Sequence, residues 1–411
     1  MKAKATQKRH ARLRAQAREL VRDPAFLYRA MTKIGELGVV GEERNRLILF
    51  LAGLTKDLDM QVSVLAKGQS ASGKSNLIRK TLQIFPPECV ISRASLSAKA
   101  PVHGEGSLKG KILYLYEYRG GKDAQYLLRL QQSEKTIAHE YTTMRGAERA
   151  TTISERVGSP VVLTTTTESK VFTDDETRFL SAWIDDTPQQ TLAIMQAQVA
   201  SSTAADDYSL AVWQEAVRLI GHQLVTFRFP AWFSEIAGMV PKEHVRVRRD
   251  WERFLAFCKA IALCRSVNES GRSSRCIEIS FADYCVAHSI VNAALASSVH
   301  ALHERELALA GAVRKLHKKF KKPVTVQDAA KHLGWKESLV YKYLRPTVKH
   351  KLLKEVGGTR QSNQKLLEPI PGSQSGFLPS PEHVLRTVAG IPEEEQQFLN
   401  PLNGEMTTVA A

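Results

Sequence analysis

One eight-residue run constrains this chain more than any other: Gly68-Gln69-Ser70-Ala71-Ser72-Gly73-Lys74-Ser75, a complete G-x-x-x-x-G-K-S. It lies between an alternating, β-branched stretch at residues 60–67 and an amphipathic stretch from Ser75 to about Ile84. A strand running into a glycine-containing loop that opens a helix is the context in which this spacing cradles phosphate. Gly68 and Gly73 let the backbone turn consecutive N–H groups inward as an anion nest. The following helix aims its positive N-terminus at the same point. In that geometry Lys74 meets the β- and γ-phosphates of ATP, Ser75 ligates Mg²⁺, and the whole segment through Asn76 lines the nucleotide. A bare Gly/Ser turn is the competing reading, and the flanking strand and helix leave it little support.

A phosphate loop alone does not separate kinases, GTPases and motor ATPases, because hydrolysis also needs an acid near the cation and the attacking water. The next apolar strand, Ile112-Leu113-Tyr114-Leu115-Tyr116, ends in Glu117. An acidic pair is usual at such a strand end, and here Tyr116 takes the first place. Glu117 is expected to orient the water beside the metal, with Mg²⁺ held chiefly by Ser75 and the phosphates. Alternatively, Glu117 is simply the polar end of a strand. The departure at Tyr116 bears on hydrolysis rate more than on binding. A later apolar strand, Val161-Val162-Leu163, runs into four threonines, Thr164 to Thr167. Thr165 or Thr166 is the candidate to sense the γ-phosphate, although threonine is also an ordinary strand residue.

The chain has 411 residues, 43% of them hydrophobic, which is material for two or three domains with packed cores. Its formal charge of +16 is unevenly spread. Residues 1–22 hold eight basic groups and one acid, and residues 312–365 hold fifteen basic groups and three acids. Residues 366–411 hold one arginine and six glutamates, so the body between is nearly neutral. Basic segments attract phosphate backbones by releasing condensed counterions, so a nucleic acid is the expected partner; solvated charge is the alternative. No apolar run reaches the roughly 18–20 residues that span a bilayer, and the N-terminus has no apolar signal core. The expectation is a cytoplasmic chain with no membrane span. Cys89, Cys258, Cys264, Cys276 and Cys285 are scattered without a C-x-x-C pair, which points to free thiols rather than a disulfide framework or zinc ribbon.

Along the chain, residues 1–22 read as a basic helix or a disordered arm. Helical stretches follow Asp23-Pro24 and run from about Glu42 to Leu54. Strands then interleave with helices up to Thr166, which indicates an α/β layer with a mainly parallel sheet. Two alternating runs, Thr136–Tyr141 and Ala150–Val157, flank MRGAER and read as a β-hairpin. From about Pro188 to Ala312 the pattern is mostly helical.

Several segments occur in a recognisable order: Glu42-x2-Asn45-Arg46-Leu47, the phosphate loop, Glu117 after its strand, YLLRLQQSEKTI (126–137), SPVVLTTTTE (159–168), DDETRF (174–179) and VRRDWERFLA (247–256). Together, over about residues 20–365, they resemble the ATPase part of primase-helicase proteins of phages and mobile elements. More broadly the region is similar to AAA+ ATPases of the minichromosome-maintenance type. The zinc ribbon and primase core that often precede this part have no counterpart here, so the resemblance implies no primer synthesis by this chain and a separate primase as partner. It implies that Arg178 is an arginine finger, reaching the γ-phosphate of a neighbouring subunit and stabilising developing charge. The rival reading is a surface salt bridge with Asp174 or Asp175. Arg248 and Arg249 resemble the sensor-2 position, where a lid arginine contacts phosphate; the rival is a basic helix start facing solvent. A finger acting in trans implies a homo-oligomer, and the family expectation is a hexamer. In related rings a hairpin at this place points into the central channel. Arg145 and Arg149 at its tip would then grip a phosphate backbone, unless they serve solubility alone.

Within the basic block, Thr325 can cap a helix that Gly334 ends, and Glu337–Leu344 makes a second helix, the helix-turn-helix pattern. Two short strand-like runs around Gly357-Gly358 look like a wing. The second helix offers Lys336, Ser338, Tyr341 and Lys342 to a DNA groove, and Arg360 extends the wing; a winged helix used for protein contacts is the alternative. The expected fold class is α/β: an AAA+-like P-loop ATPase on a parallel sheet, with a helical lid and a C-terminal winged-helix domain. The expected divisions are a basic arm at 1–22, an ATPase core at 23–195, a helical lid region at 196–311, the winged helix at 312–368, and a flexible tail at 369–411. The expected activity is an ATP-dependent DNA-binding motor, a replicative helicase acting on single- or double-stranded DNA. The rivals are an ATP-switched DNA-binding regulator that never translocates and a small-molecule P-loop kinase with an added DNA-binding domain.

Overall fold

The computed structural model describes residues 2–145, 148–168, 171, 173–200, 207–221, 225–242, 244–268, 276–300, 304–349, 352–356, 365–369 and 376–410. Seven strands come first: β1 (Ser63–Lys67), β2 (Val90–Arg93), β3 (Ile112–Leu115), β4 (Thr136–Arg145), β5 (Glu148–Val157), β6 (Val161–Thr166) and β7 (Phe179–Trp183). Five of them form one sheet in the order β2-β3-β6-β1-β7, every neighbouring pair parallel. The strands β1, β3 and β6 are buried along their whole length. Their sequences SVLAK, ILYL and VVLTTT read as near-continuous apolar or β-branched runs, as strands covered on both faces do. The sheet is α/β and parallel, as the interleaved pattern predicts.

Helices α1 (Lys2–Arg22), α2 (Phe26–Glu36), α3 (Glu43–Leu54), α4 (Lys74–Gln83), α5 (Ala100–His103), α6 (Gln125–Glu134) and α7 (Thr173–Glu176) accompany these strands, with α3 and α4 packed directly on the sheet. The main core joins α3 and α4 to it through Leu47, Phe50, Leu77, Ile78 and Phe85. A smaller core on Leu65, Leu113, Tyr118, Val162, Val171 and Phe179 forms beside it. The antiparallel pair β4–β5 is the expected hairpin, longer than its sequence pattern suggested and in register from Thr136↔Val157 to Arg145↔Glu148. It returns to the sheet through Gly158, whose φ is +102° and where a Cβ would lie 2.1 Å from the Lys109 nitrogen. Only glycine fits that close approach of two backbones.

After β7 come α8 (Pro188–Ala200), α9 (Asp207–Gly221), β8 (Thr226–Arg228), α10 (Trp232–Met239), α11 (Val247–Asn268), β9 (Cys276–Glu278) and α12 (Phe281–His300). Phe233 sits at an aromatic centre of this bundle, with Trp232, Phe254 and Tyr284 at ring separations of 4.5, 6.5 and 6.4 Å. The basic arm is helical: α1 packs on α9 and buries Ala17 and Val21.

The basic block forms α13 (Glu304–Phe320), β10 (Val324–Thr325), α14 (Val326–Leu333), α15 (Glu337–Lys349), β11 (Leu353–Val356) and β12 (Leu366–Pro369), with an antiparallel sheet ordered β10-β12-β11. Thr325 caps α14, its Oγ1 accepting from the Asp328 N–H at 3.0 Å while the Asp328 carboxylate closes the capping box. Gly334, at φ +66°, ends the helix in the left-handed conformation that glycine adopts freely.

The expectation of a flexible tail is corrected over residues 376–410. They form α16 (Pro381–Thr387), β13 (Gln397–Leu399) and β14 (Met406–Thr408), and they bury Phe377, Leu378, Val384, Val388 and Phe398. Asn292 Oδ1 accepts the N–H groups of Phe377 and Leu378, and Tyr284 donates to the Pro379 carbonyl, so this strap is stitched to α12. Its Pro, Gly and Ser content shapes turns around apolar anchors rather than preventing order. Among the described residues, no helix is long and apolar enough to cross a membrane.

Candidate nucleotide-binding site

The phosphate loop leaves the carboxyl end of β1 and enters α4, the edge where parallel α/β sheets bind ligands. Gly73 takes φ +92° just before α4, and Ala71 takes φ +64° within the loop. A Cβ on Gly68 would meet Ser72 Oγ at 2.9 Å and Ile184 Cβ at 3.4 Å, so the loop closes tightly over its first residue. Lys74 Nζ lies inside it, donating to the carbonyls of Gly68, at 2.9 Å, and Gln69, and to Ser72 Oγ at 3.4 Å. Burial lowers the Lys74 ammonium from the usual lysine range, and the charge of Glu117 pulls it back up. Gln69 Nε2 donates to Asp186 Oδ2 at 3.1 Å, and Asn76 Nδ2 to the Gly38 carbonyl at 3.2 Å. Ser70 is exposed beside them.

Glu117 stands exposed at the carboxyl end of β3, on the same edge, near enough for its charge to act on Lys74. Burial raises the Tyr114 phenol from the usual tyrosine range, and neighbouring Ser75 acts in the opposite direction. Tyr116 is exposed, its ring tilted against that of Tyr114 at a centroid separation of 5.0 Å. A cleft of about 760 Å³ opens here, lined by Ser75, Arg79, Tyr114 and Tyr116 among others. Among the described residues no cluster of three or more His, Cys, Asp or Glu can hold a metal. Ser75 and Glu117 are few and hard donors, which fits a Mg²⁺ ion carried in on phosphate oxygens rather than a resident ion. Thr165 is buried and donates to the Tyr116 carbonyl at 2.8 Å, while Thr166 Oγ1 accepts from Glu168 N–H at 3.1 Å. Thr165 thus ties β6 to the strand end that carries Glu117, while Thr166 bonds locally just after β6.

Arg178 lies elsewhere. In the β1–β7 ladder Ser63 faces Phe179 and Lys67 faces Trp183. Arg178, one residue before β7, therefore sits at the amino edge of the sheet, a strand length of roughly 13 Å from the loop edge. It donates to the Arg129 carbonyl at 3.1 Å and to Ser133 Oγ at 2.6 Å, both on α6. Its Nε is buried with no hydrogen-bond partner among the described residues. Burial, with Arg249 and Arg129 nearby, lowers its guanidinium from the usual range. Asp175 instead pairs with Arg129, Nε to Oδ1 at 3.2 Å.

Three arginines at and just before the start of α11 hold the segment that leads into β7. Arg249 donates to Thr177 Oγ1 at 2.8 Å, Arg253 to the Thr177 carbonyl at 2.6 Å, and Arg246 to the carbonyls of Glu176 and Phe179 at 3.2 and 3.1 Å. Asp250, fully buried, anchors Arg246 and Arg253. Burial lowers Arg253 to about 10 despite that anchor. The structure does not bring Arg249 to the chain's own phosphate loop, and Arg248 is exposed. Sequence reasoning missed Arg246, Asp250 and Arg253; their i, i+4 and i+7 spacing on one helix face is the signal that finds them. It also missed Lys67, the last residue of β1, which is buried, pairs with Glu176 and lies over the Trp183 ring at 5.4 Å.

On α15, Ser338, Tyr341 and Lys342 are exposed, as is Lys336 just before it, while Val340, Tyr343, Leu344 and Thr347 face inward. The backbones of Arg145 and Arg149 pair with Glu148 and Met144 at the far end of the hairpin. Arg360 lies outside the described residues. The cysteines carry no disulfide, and Cys89, Cys258, Cys264 and Cys285 are buried, with burial raising each thiol.

A parallel sheet, a G-x-x-x-x-G-K-S loop at its carboxyl edge and an acid at the carboxyl end of β3 make this region a P-loop ATPase module. Residues 14–210 match the family model described as the MTBMA_p00010 P-loop domain. No curated protein matches the chain. Among solved structures, a point mutant of Thermotoga maritima RuvB aligns over 77% of this chain and 90% of its own, at 13% identity and a TM-score of 0.28.

Proposed function

We propose that this chain is an ATP-dependent DNA-binding motor, a replicative helicase of a phage or mobile element, working in the cytoplasm with a separate primase. The observation that carries the reading is the separation of the phosphate loop from Arg178 across the sheet. A guanidinium at the far edge cannot reach its own γ-phosphate, so a complete site takes two copies in a head-to-tail contact. Repeated, that contact closes into a ring, a hexamer in the family the chain resembles. Lys74 and the loop N–H groups hold the phosphates, Ser75 and Glu117 flank Mg²⁺, Glu117 orients the water, and Thr165 keeps Glu117's strand in place beside the γ-phosphate. Arg178 of the neighbour stabilises the charge that develops on transfer. Residues 23–195 are the motor core, and 196–311 the helical region that fixes Arg178. Residues 312–368 are a winged helix holding DNA through Lys336, Ser338, Tyr341, Lys342 and Arg360, with Arg145 and Arg149 gripping the strand in the channel.

Steady-state ATPase with and without single-stranded DNA tests this, with Lys74→Ala as blank. Turnover should rise at least about tenfold on DNA and vanish in the blank. A slow rate indifferent to DNA supports the second reading, an ATP-switched DNA-binding regulator, which Tyr116 in the first acidic place favours.

A further inference from the structure

The acidic pair after β7 joins two parts of the molecule. Asp186 accepts from Gln69 of the phosphate loop at 3.1 Å, and its other oxygen lies 2.6 Å from Arg305 Nη2. The same Arg305 nitrogen lies 3.1 Å from Asp185 Oδ1. Arg305 belongs to α13, the first helix of the basic block, and its guanidinium carbon lies 5.8 Å from the ring of Tyr343 on α15. Tyr343 is buried and packs near Trp335 at 6.2 Å, while Tyr341 and Lys342 beside it face out. Arg305 itself is 13% exposed and Asp186 25%, so solvent screens this link only in part.

The loop end of this chain has a reason to respond to nucleotide. Lys74 spends its protons on the carbonyls of Gly68 and Gln69. A phosphate group in the loop would accept those hydrogen bonds in place of the carbonyls, which frees the Gln69 peptide and with it the residue whose side chain holds Asp186. A ligand shifts an equilibrium only through contacts that differ between two states, and this exchange supplies such a difference. Arginine suits the junction, because its rigid fork can divide between two carboxylates and an aromatic face as their availability changes.

We propose that Asp186 and Arg305 are positioning residues that couple the phosphate loop to α15, so that nucleotide at Gln69 and a ligand on the outer face of α15 are felt by each other. The coupling rests on the contacts above; only the nature of the α15 ligand, DNA, rests on the proposed function.

Amide hydrogen exchange of residues 337–349, with and without a non-hydrolysable ATP analogue, tests it on the full chain. In the unmodified protein, nucleotide should change α15 exchange at least about threefold, and Arg305→Met and Asp186→Asn should each remove the response. Arg305→Lys, which keeps a cation but not the fork, should restore part of it; a purely structural role predicts shifted exchange that still responds to nucleotide. An unmodified protein without a nucleotide response, or variants that keep a full one, overturns the proposal. Reciprocity requires DNA to change analogue affinity, with couplings of this kind typically about 5- to 150-fold. An exchange response that survives while DNA changes neither affinity nor turnover leaves the coupling standing and removes the DNA motor.

Discussion

At the scale of single residues, Arg248 and Arg249 are neighbours in sequence with different surroundings. Arg249 is tied to Thr177, in the segment that ends at Arg178, and Arg248 is exposed. Arg249→Ala should therefore lower kcat about tenfold with the KM for ATP within about twofold, the pattern of an interaction that matters only in the transition state. Arg248→Ala should leave both within about twofold. Equal losses in the two variants would remove the positioning role given to Arg249. A second residue sets a pH dependence. His288 packs near Tyr284 and Asn292, and burial lowers its pKa from 6.5 to about 4, with Arg44 acting in the same direction and Glu382 against it. In the unfolded chain it takes up a proton near 6.5, while in the folded chain it resists until about 4. Its contribution is therefore present above pH 6.5 and lost as the pH falls through 4, up to about 3 kcal/mol. Urea unfolding followed by tryptophan fluorescence should show this slope, and His288→Gln should flatten it.

At the scale of elements, the capping box of α14 gives the simplest test. Thr325→Ala should cost about 1 kcal/mol and show first as faster amide exchange in residues 326–330; unchanged exchange would mean that packing alone holds the helix. That cap was legible in the sequence because its signal is local: a threonine, an aspartate three residues on, and a glycine at the end. The phosphate loop, its flanking strand and helix, and the β4–β5 hairpin were legible for the same reason. Strands β2 and β7 were not. VISR is four residues long with a half-polar edge, and FLSAW gains its meaning only from pairing with β1, more than a hundred residues earlier. The tail misled because turn-rich composition resembles disorder unless the receiving groove is known, and Asn292 and Tyr284 lie on a helix remote in sequence. At the site, spacing placed Lys74 and Glu117 on one edge. It could not reveal that Arg249 serves Thr177, because that contact depends on where the start of α11 meets the segment before β7, some seventy residues earlier.

At the scale of the whole molecule, the decisive arrangement is a sheet with chemistry at both ends: the loop, Lys74 and Glu117 at one edge, Arg178 at the other. If a neighbour's Arg178 completes each site, two inactive variants should repair one another. Lys74→Ala subunits cannot bind phosphate properly but still present Arg178. Arg178→Ala subunits lack the finger but keep an intact loop. Mixed one to one with random exchange, a complete site forms only where the intact loop of one kind meets the arginine of the other. That holds at about a quarter of the interfaces in a head-to-tail ring. ATPase of the mixture should approach that fraction of the unmodified rate, while each variant alone stays near the blank. Recovery must also track assembly, appearing only at protein and nucleotide concentrations where light scattering reports an oligomer. A mixture no more active than its parts, in particles shown to contain both, would mean that Arg178 serves its own chain's fold through Ser133 and the Arg129 carbonyl, and that the site is complete within one copy.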